Sequence, residues 1–305
     1  MLSCGFKHTV AIRNDGTLWA WGNNHYGQLG DSTTVNKNIP KQITNLNTWS
    51  SVSTAERFTV ALKVDGTIWA WGDNTYGDLG DSTYINKLVP TKIGKDSNWV
   101  SIASGSSFTA AIKNDGTLWT WGNCQFGQLG IGNVGRSISP VQVGVSNDWK
   151  TVVTGAYHTI ALKKDGSLWA WGSNYKGQIG NGTTSDTYYP IQIGSDTDWQ
   201  YTAAGYAHTL AIKKDGTLWS WGSGAVIGSP KIPTKFGTDT TWKNINGGNF
   251  CTLAIKKDSS LWAWGNNDYG QLGDASTMYK SIPSKIGLGT SWQSISSSLY
   301  FGHSM

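Results

Sequence analysis

Three histidines recur at one spacing in this chain, and histidine is the side chain best suited to moving protons near neutral pH. His8, His158 and His208 each stand in a Gly-x-x-His-Thr segment: Gly5 to Thr9, Gly155 to Thr159 and Gly205 to Thr209. The equivalent positions elsewhere hold Phe58, Phe108 and Cys251. A place that accepts phenylalanine is expected to be a packing position. His25 and His303 belong to no motif.

Carboxylates in pairs could do acid/base work. Asp15, Asp65, Asp115, Asp165, Asp215 and Asp258 repeat at one place, each before Gly or, at the last, Ser259. Aspartate there is expected to stabilise a turn through its own backbone. Six equivalent turns keep these groups apart, so no paired-carboxylate site is expected. Cys4, Cys124 and Cys251 are widely spaced and form no Cys-x-x-Cys pair. Three thiols and a reducing, cytoplasmic compartment are the expectation. No phosphate loop, nucleophile elbow or metal-spaced pair appears. The chain is therefore expected to be no enzyme and to use no cofactor, metal or catalytic residue.

Cations could hold phosphate or an acidic surface. Arg13, Lys63, Lys113, Lys163, Lys164, Lys213, Lys214, Lys256 and Lys257 lie beside the aspartate turns. Lys163, Lys164, Lys213, Lys214, Lys256 and Lys257 come as doublets and make that side more basic. They are read as a solvated rim with weak contact to anions or nucleic acid. The net charge of +5 is too small to predict nucleic-acid binding by itself.

What must position these residues is a repeat. Trp19-Ala20-Trp21-Gly22 recurs from Trp69, Trp119, Trp169, Trp219 and Trp262, and Trp49, Trp99, Trp149, Trp199, Trp242 and Trp292 keep the same register. These three positions in six repeats account for all 18 tryptophans. Pro40, Pro90, Pro140, Pro190, Pro233 and Pro283 share one place. A Gly-Gln-Leu-Gly segment from Gly27 has relatives from Gly77, Gly127, Gly177 and Gly270, and the fifth repeat lacks it.

Within a repeat, Thr9 to Ile12 and Thr17 to Trp21 flank Asp15-Gly16, which predicts a hairpin. Val10 and Ile12 share one face, as do Trp19 and Trp21. Both faces are apolar or small, so each sheet must be covered on both sides. Stacked sheets satisfy that pattern, and the tryptophans are expected to be core. The division is one domain, 1–305, with repeats at 1–50, 51–100, 101–150, 151–200, 201–243 and 244–293 and a partial one at 294–305. In that last piece Ser298 takes the glycine place and Phe301 the histidine place.

The Gly-x-x-His-Thr, Asp-Gly-x-Leu-Trp-x-Trp-Gly and Asn-x-Tyr-Gly-Gln-Leu-Gly segments, followed by proline, resemble the regulator-of-chromosome-condensation repeat family. The resemblance covers nearly the whole chain and implies an all-β propeller, usually of seven blades. The six repeats here imply either six blades or a fragment of a seven-blade ring. Similar repeats build the plant UV-B photoreceptor and a bacterial β-lactamase inhibitor. In the photoreceptor, sensing tryptophans follow the motif glycine. Phe6, Glu56, Ser106, Ala156, Tyr206 and Asn249 stand there in this chain, which argues against light sensing.

A rigid frame with varied loop residues suits binding. Phe6, Lys7, Glu56, Arg57, Tyr157, Tyr206, Asn249 and Phe250 are the candidates, with a second variable stretch at Tyr84, Arg136, Tyr188 and Tyr279. The expected function is a non-enzymatic protein-interaction scaffold, acting as a monomer. The resemblance also implies guanine-nucleotide exchange on a Ran-type small GTPase, although no wedge insertion interrupts the repeats. Enzyme inhibition is a further alternative. No apolar run of membrane-spanning length occurs, and no signal peptide is expected.

Overall fold

The computed structural model describes residues 1–132, 135–223 and 228–299. Phe301, His303 and the end of the partial repeat lie outside the described residues, as does most of the shortened loop of the fifth repeat.

The described chain is all β and forms two compact units. The first, Met1–Gln125 with Leu129–Val152, carries three sheets. They are β1 (Leu2–Cys4), β2 (His8–Ile12), β3 (Leu18–Gly22) and β4 (Lys37–Gln42); β5 (Trp49–Thr54), β6 (Phe58–Lys63), β7 (Ile68–Gly72) and β8 (Lys87–Lys92); and β9 (Trp99–Ser104), β10 (Phe108–Lys113), β11 (Leu118–Asn123) and β12 (Arg136–Gln142). In the second unit, Phe126–Gln128 with Val153–Met305, the remaining strands run on. They are β13 (Trp149–Thr154), in which the unit boundary falls, β14 (His158–Lys163), β15 (Leu168–Gly172) and β16 (Thr187–Gln192); β17 (Trp199–Ala204), β18 (His208–Lys213), β19 (Leu218–Gly222) and β20 (Thr234–Lys235); and β21 (Trp242–Gly247), β22 (Cys251–Lys256), β23 (Leu261–Gly265) and β24 (Lys280–Lys285). Each sheet keeps its four strands in sequence order. Among the described residues no helix is long and apolar enough to cross a membrane.

The hairpin between β2 and β3 shows why the turn residues are what they are. Gly16 N donates to Arg13 O at 2.9 Å, and Arg13 N to Thr17 O at 3.0 Å. Gly16 takes φ +80°, which glycine adopts without penalty. Asp15 Oδ1 accepts from Thr17 N at 3.0 Å and from its hydroxyl at 2.6 Å, and that hydroxyl accepts the Trp19 indole N–H at 3.0 Å. These bonds hold the Asp15 carboxyl below its ordinary pKa. The sixth repeat builds the same turn with Ser259 forced to φ +61°.

Sheets cover one another as the alternation predicts. Val10, Ile12, Leu18, Ala20 and Leu29 pack against Trp49, Ala61 and Trp71 of the next sheet. Ile160, Leu162, Leu168 and Ile179 pack against Trp199, Ala211 and Trp221 in the same way. Hydrogen bonds lock the joints. Trp71 Nε1 and Thr59 Oγ1 both donate to Gln28 O, at 3.0 and 2.8 Å. Trp221 Nε1 and Thr209 Oγ1 do the same to Gln178 O, at 2.9 and 2.8 Å. The joint thus satisfies a buried indole N–H that would otherwise cost stability.

The tryptophans divide into grades. Trp71, Trp121, Trp171, Trp221 and Trp264 are fully buried, whereas their partners two residues earlier are half-buried. Trp292 is 41% exposed, unlike Trp49 or Trp199, so it stands outside the core reading. Past it, Ser297 N donates to Asn246 Oδ1 at 2.8 Å. This repeats the bond from Thr54 N to Ser3 Oγ at 3.0 Å, as if a further repeat were beginning there.

Candidate functional site

The loops after the motif glycine share one backbone turn. Gly5 N donates to His8 O, Gly155 N to His158 O and Gly205 N to His208 O, each at 2.9 Å. The histidine explains the glycine: a Cβ on Gly155 would lie 2.1 Å from His158 Cε1, and on Gly205 2.0 Å from His208 Cε1. Where Phe58 replaces the histidine, Ala55 is accommodated. All three histidines are buried. His8 Nε2 meets Thr59 Oγ1 at 3.1 Å and His158 Nε2 meets Thr209 Oγ1 at 3.2 Å. Burial, with His208 nearby, pushes the pKa of His158 down to about 3, and burial alone pushes that of His208 to about 4. His158 and His208 are neutral, and all three histidines pack inside the sheets.

On top of this layer stand the variable residues. In the second unit they converge. Tyr157 meets Phe126 edge to face at a centroid distance of 5.3 Å, and Tyr206 at 6.1 Å. Tyr206 meets Phe250 at 5.6 Å. Four half-buried aromatic rings, Phe126 from the β11–β12 loop and the others from the first loops of three successive sheets, therefore make one strip. Phe250 sits at φ +54°, an uncommon conformation for a bulky residue and one that costs strain. Asn249 is held beside it by its N–H, which donates to Ser298 O at 3.0 Å. Phe126 was not among the sequence candidates. Its signal was its register, the place held by Tyr26, Tyr76 and Tyr269 in other repeats.

In the first unit the candidates pair locally. Lys7 Nζ lies 5.0 Å from the Phe6 ring. Arg57 binds Glu56 at 3.0 Å, covers the Tyr26 ring at 4.9 Å and donates to its hydroxyl at 3.1 Å. Arg136 lies over Tyr84 at 5.4 Å and Tyr76 at 5.9 Å. Tyr188 and Tyr279 are exposed.

The basic rim needs correction. Lys213 and Lys256, the first of their doublets, lie across tryptophan rings and bind Asp196 at 2.6 Å and Asp239 at 2.5 Å. Lys163 lies 4.7 Å from the Trp169 ring. Such ammonium groups are spent inside the fold. Of the doublets, only Lys164, Lys214 and Lys257 remain exposed, and Lys214 donates to Thr197 O at 3.3 Å and Lys257 to Thr240 O at 3.1 Å.

One buried acid escaped the sequence reading. In the second repeat Asp78 stands where Gln28, Gln128, Gln178 and Gln271 stand elsewhere. Gln28 Nε2 donates to Asn23 Oδ1 at 2.8 Å, but in the second repeat the equivalent pair is Asp78 and Asp73. Burial, with Asp73 and Glu56 adding like charge, raises the Asp78 pKa well above the usual carboxylate range. At 2% exposure it faces no solvent-filled cleft. Cys4, Cys124 and Cys251 are buried thiols, and burial pushes Cys251 up to about 12.

Comparison with known proteins agrees with this architecture. The pattern described as an RCC1-like domain matches residues 1–229. Regulator of chromosome condensation (RCC1) repeat patterns match 258–301 and 242–271. Among solved structures, Prp20p from Saccharomyces cerevisiae, reported with its binding properties to Gsp1p and histones, is 23% identical with a TM-score of 0.85. That match covers 95% of this chain and 77% of Prp20p. Human WBSCR16 is 20% identical with a TM-score of 0.87, covering 97% of this chain and 83% of that one. The ultraviolet-B receptor UVR8 of Arabidopsis thaliana is 43% identical over 42 residues, 14% of this chain and 10% of the receptor. The likenesses show the fold, an all-β propeller whose blades are the four-stranded sheets described above.

Proposed function

Because the chain belongs to the family of RCC1-like domains, we propose that it is a non-enzymatic scaffold that binds a partner protein through variable loops. The observation that carries this reading is the strip Phe126–Tyr157–Tyr206–Phe250. Aromatic side chains supply large contact area at low entropic cost and anchor interfaces. The four rings are only half-buried and join none of the tryptophan clusters of the core. Asn249 adds polar specificity beside it. Phe6, Lys7, Glu56 and Arg57 offer a second, charged set in the first unit. Weak anion contact falls to Lys164, Lys214 and Lys257.

The test is affinity capture with the wild type and the Tyr157→Ala/Tyr206→Ala variant. The wild type is expected to retain a saturable protein at high salt, and the variant to lose it while remaining folded with a cooperative unfolding transition. Equal capture by both would overturn the strip as the contact surface.

A second reading is guanine-nucleotide exchange on a small GTPase. The likeness to Prp20p, reported with binding to Gsp1p, supports it. Accelerated release of labelled GDP from a Ran-type GTPase is the expected outcome. An unchanged release rate would remove this reading and leave the scaffold.

A further inference from the structure

The lysine that ends the second strand of a sheet has the same two walls in four sheets. Lys63 Nζ lies 4.9 Å from the Trp49 ring and 3.8 Å from Trp69. Lys113 stands at 4.7 and 4.0 Å from Trp99 and Trp119. For Lys213 the distances to Trp199 and Trp219 are 4.8 and 4.7 Å, and for Lys256 those to Trp242 and Trp262 are 4.7 and 3.7 Å. Three of these ammonium groups also hold a carboxylate: Asp96 on Lys113 at 2.8 Å, Asp196 on Lys213 at 2.6 Å and Asp239 on Lys256 at 2.5 Å. All three aspartates occupy one repeat place, three residues ahead of the wall tryptophan.

At that place before Trp49 stands Leu46, which is 50% exposed. The residue two positions before it differs too. Gly94, Gly194 and Gly237 give way to Thr44, whose hydroxyl accepts the Trp49 indole N–H at 3.2 Å and so fixes that wall. Lys63 is therefore walled like its counterparts, 8% exposed, and left without the carboxylate that each of them has. The charges acting on it are Asp65, whose Oδ1 is bonded to Thr67 in its own turn, and Lys92. Burial holds the Lys63 pKa below the usual lysine value. For Lys213 burial acts in the same direction, but the bonds from Asp196 and Asp198 outweigh it and the pKa is raised.

Ring faces satisfy a cation's charge but accept none of its N–H bonds well, and an ammonium has three donors. The other sheets show what meets an ammonium between these walls: a carboxylate oxygen, from the place that Leu46 holds here. We propose that Lys63, Trp49, Trp69 and Leu46 form a binding site for an acidic side chain on an extended partner segment, with an aliphatic neighbour resting on Leu46. The site lies at the opposite end of β6 from Arg57, about 20 Å away along the six residues between them. It is thus separate from the loop surface of the proposed function, and its failure would leave that function standing.

The test is an NMR titration of the full chain, reading the Lys63 ε-methylene and the Trp49 and Trp69 indole N–H signals. The probes are acetyl-Leu-Glu-Leu-amide, its Gln counterpart, and sodium acetate. Saturable shifts with the Glu peptide are expected, with affinity lower by about tenfold or more for the Gln peptide and for acetate. Leu46→Asp supplies the carboxylate internally. It should raise the Lys63 pKa, weaken the Glu peptide by about tenfold or more and leave the Lys113 signals in place as a control for folding. Three results would each overturn the proposal: no saturable response at Lys63, equal binding of the Gln peptide, or an unchanged response in Leu46→Asp. Acetate binding as tightly as the Glu peptide would overturn the peptide segment as its occupant.

Discussion

The two ends of each second strand follow different rules. At one end, lysines at positions 63, 113, 213 and 256 sit between tryptophans at nearly constant distances, sheet after sheet. At the other end, loops on one backbone turn carry Phe6-Lys7, Glu56-Arg57, Ser106-Ser107, Ala156-Tyr157, Tyr206-Ala207 and Asn249-Phe250. The first end is fixed by contacts that these four sheets share in covering their indoles. The second is free, because the glycine turn and the histidine or phenylalanine beneath it already close the sheet. The difference teaches where substitution is read as lost stability and where as lost binding.

The largest effect should come from the fixed layer. Trp171→Ala removes a fully buried ring and its bond to Gln128 O, and should cost about 3–5 kcal/mol in denaturant unfolding. A loss under about 1 kcal/mol would mean that the neighbouring sheet closes the gap, and the contrast between the ends would fail.

Next comes acid. His158 and His208 are neutral in the fold, with pKa values of about 3 and about 4, against 6.5 for the free side chain. The unfolded chain takes up protons first, so the stability is fully present above pH 6.5 and is lost as pH falls from there toward about 3. Thermal unfolding midpoints across that range should decline, and His158→Phe with His208→Phe should flatten the decline. Phenylalanine already serves at Phe58 and Phe108.

Asp78 gives a smaller effect of opposite slope. Its folded pKa is raised, so its contribution falls as pH rises above the unfolded carboxylate value. Asp78→Asn restores an amide where other repeats use glutamine, and should stabilise the chain by about 1–2 kcal/mol at neutral pH and by nothing in strong acid. A pH-independent gain would point to packing rather than charge. The smallest effect on stability belongs to the loop end. Tyr206→Ala should cost about 1 kcal/mol or less, while reducing partner capture by about tenfold or more. Equal losses of stability and capture would place Tyr206 with the fixed layer.

Much of this layout was legible. The alternation around Trp19 and Trp21, the Asp-Gly turns and the exchange of histidine for phenylalanine all act within one repeat, where spacing reports them directly. What escaped was contact between repeats. Trp71 finds Gln28 O at 43 residues' separation, and no pattern inside one repeat reveals that. Lys213 was read as rim because lysine in a turn is usually solvated, yet its neighbours in space are Trp199, Trp219, Asp196 and Asp198. Tyr157 and Tyr206 were picked for their variability, but their meeting depends on which way each loop points. Asp78 was hidden because a carboxylate among glutamines looks like ordinary drift until its burial is known.

The repeated proline has a consequence of its own. It falls within β4, β8, β12, β16 and β24 and just ahead of β20, and each of these strands ends its sheet's order. A terminal strand with free amides is a template on which another chain can grow, and Ile39, Tyr189 and Ile282, at 75%, 62% and 67% exposure, are the residue types that cross-β assembly favours. Proline offers no N–H at that point, so an incoming strand finds its ladder interrupted in every sheet. A chain built from one motif copied six times carries the same pairing hazard at every terminal strand, and the residue that marks the repeat sets a break in the ladder at each of them.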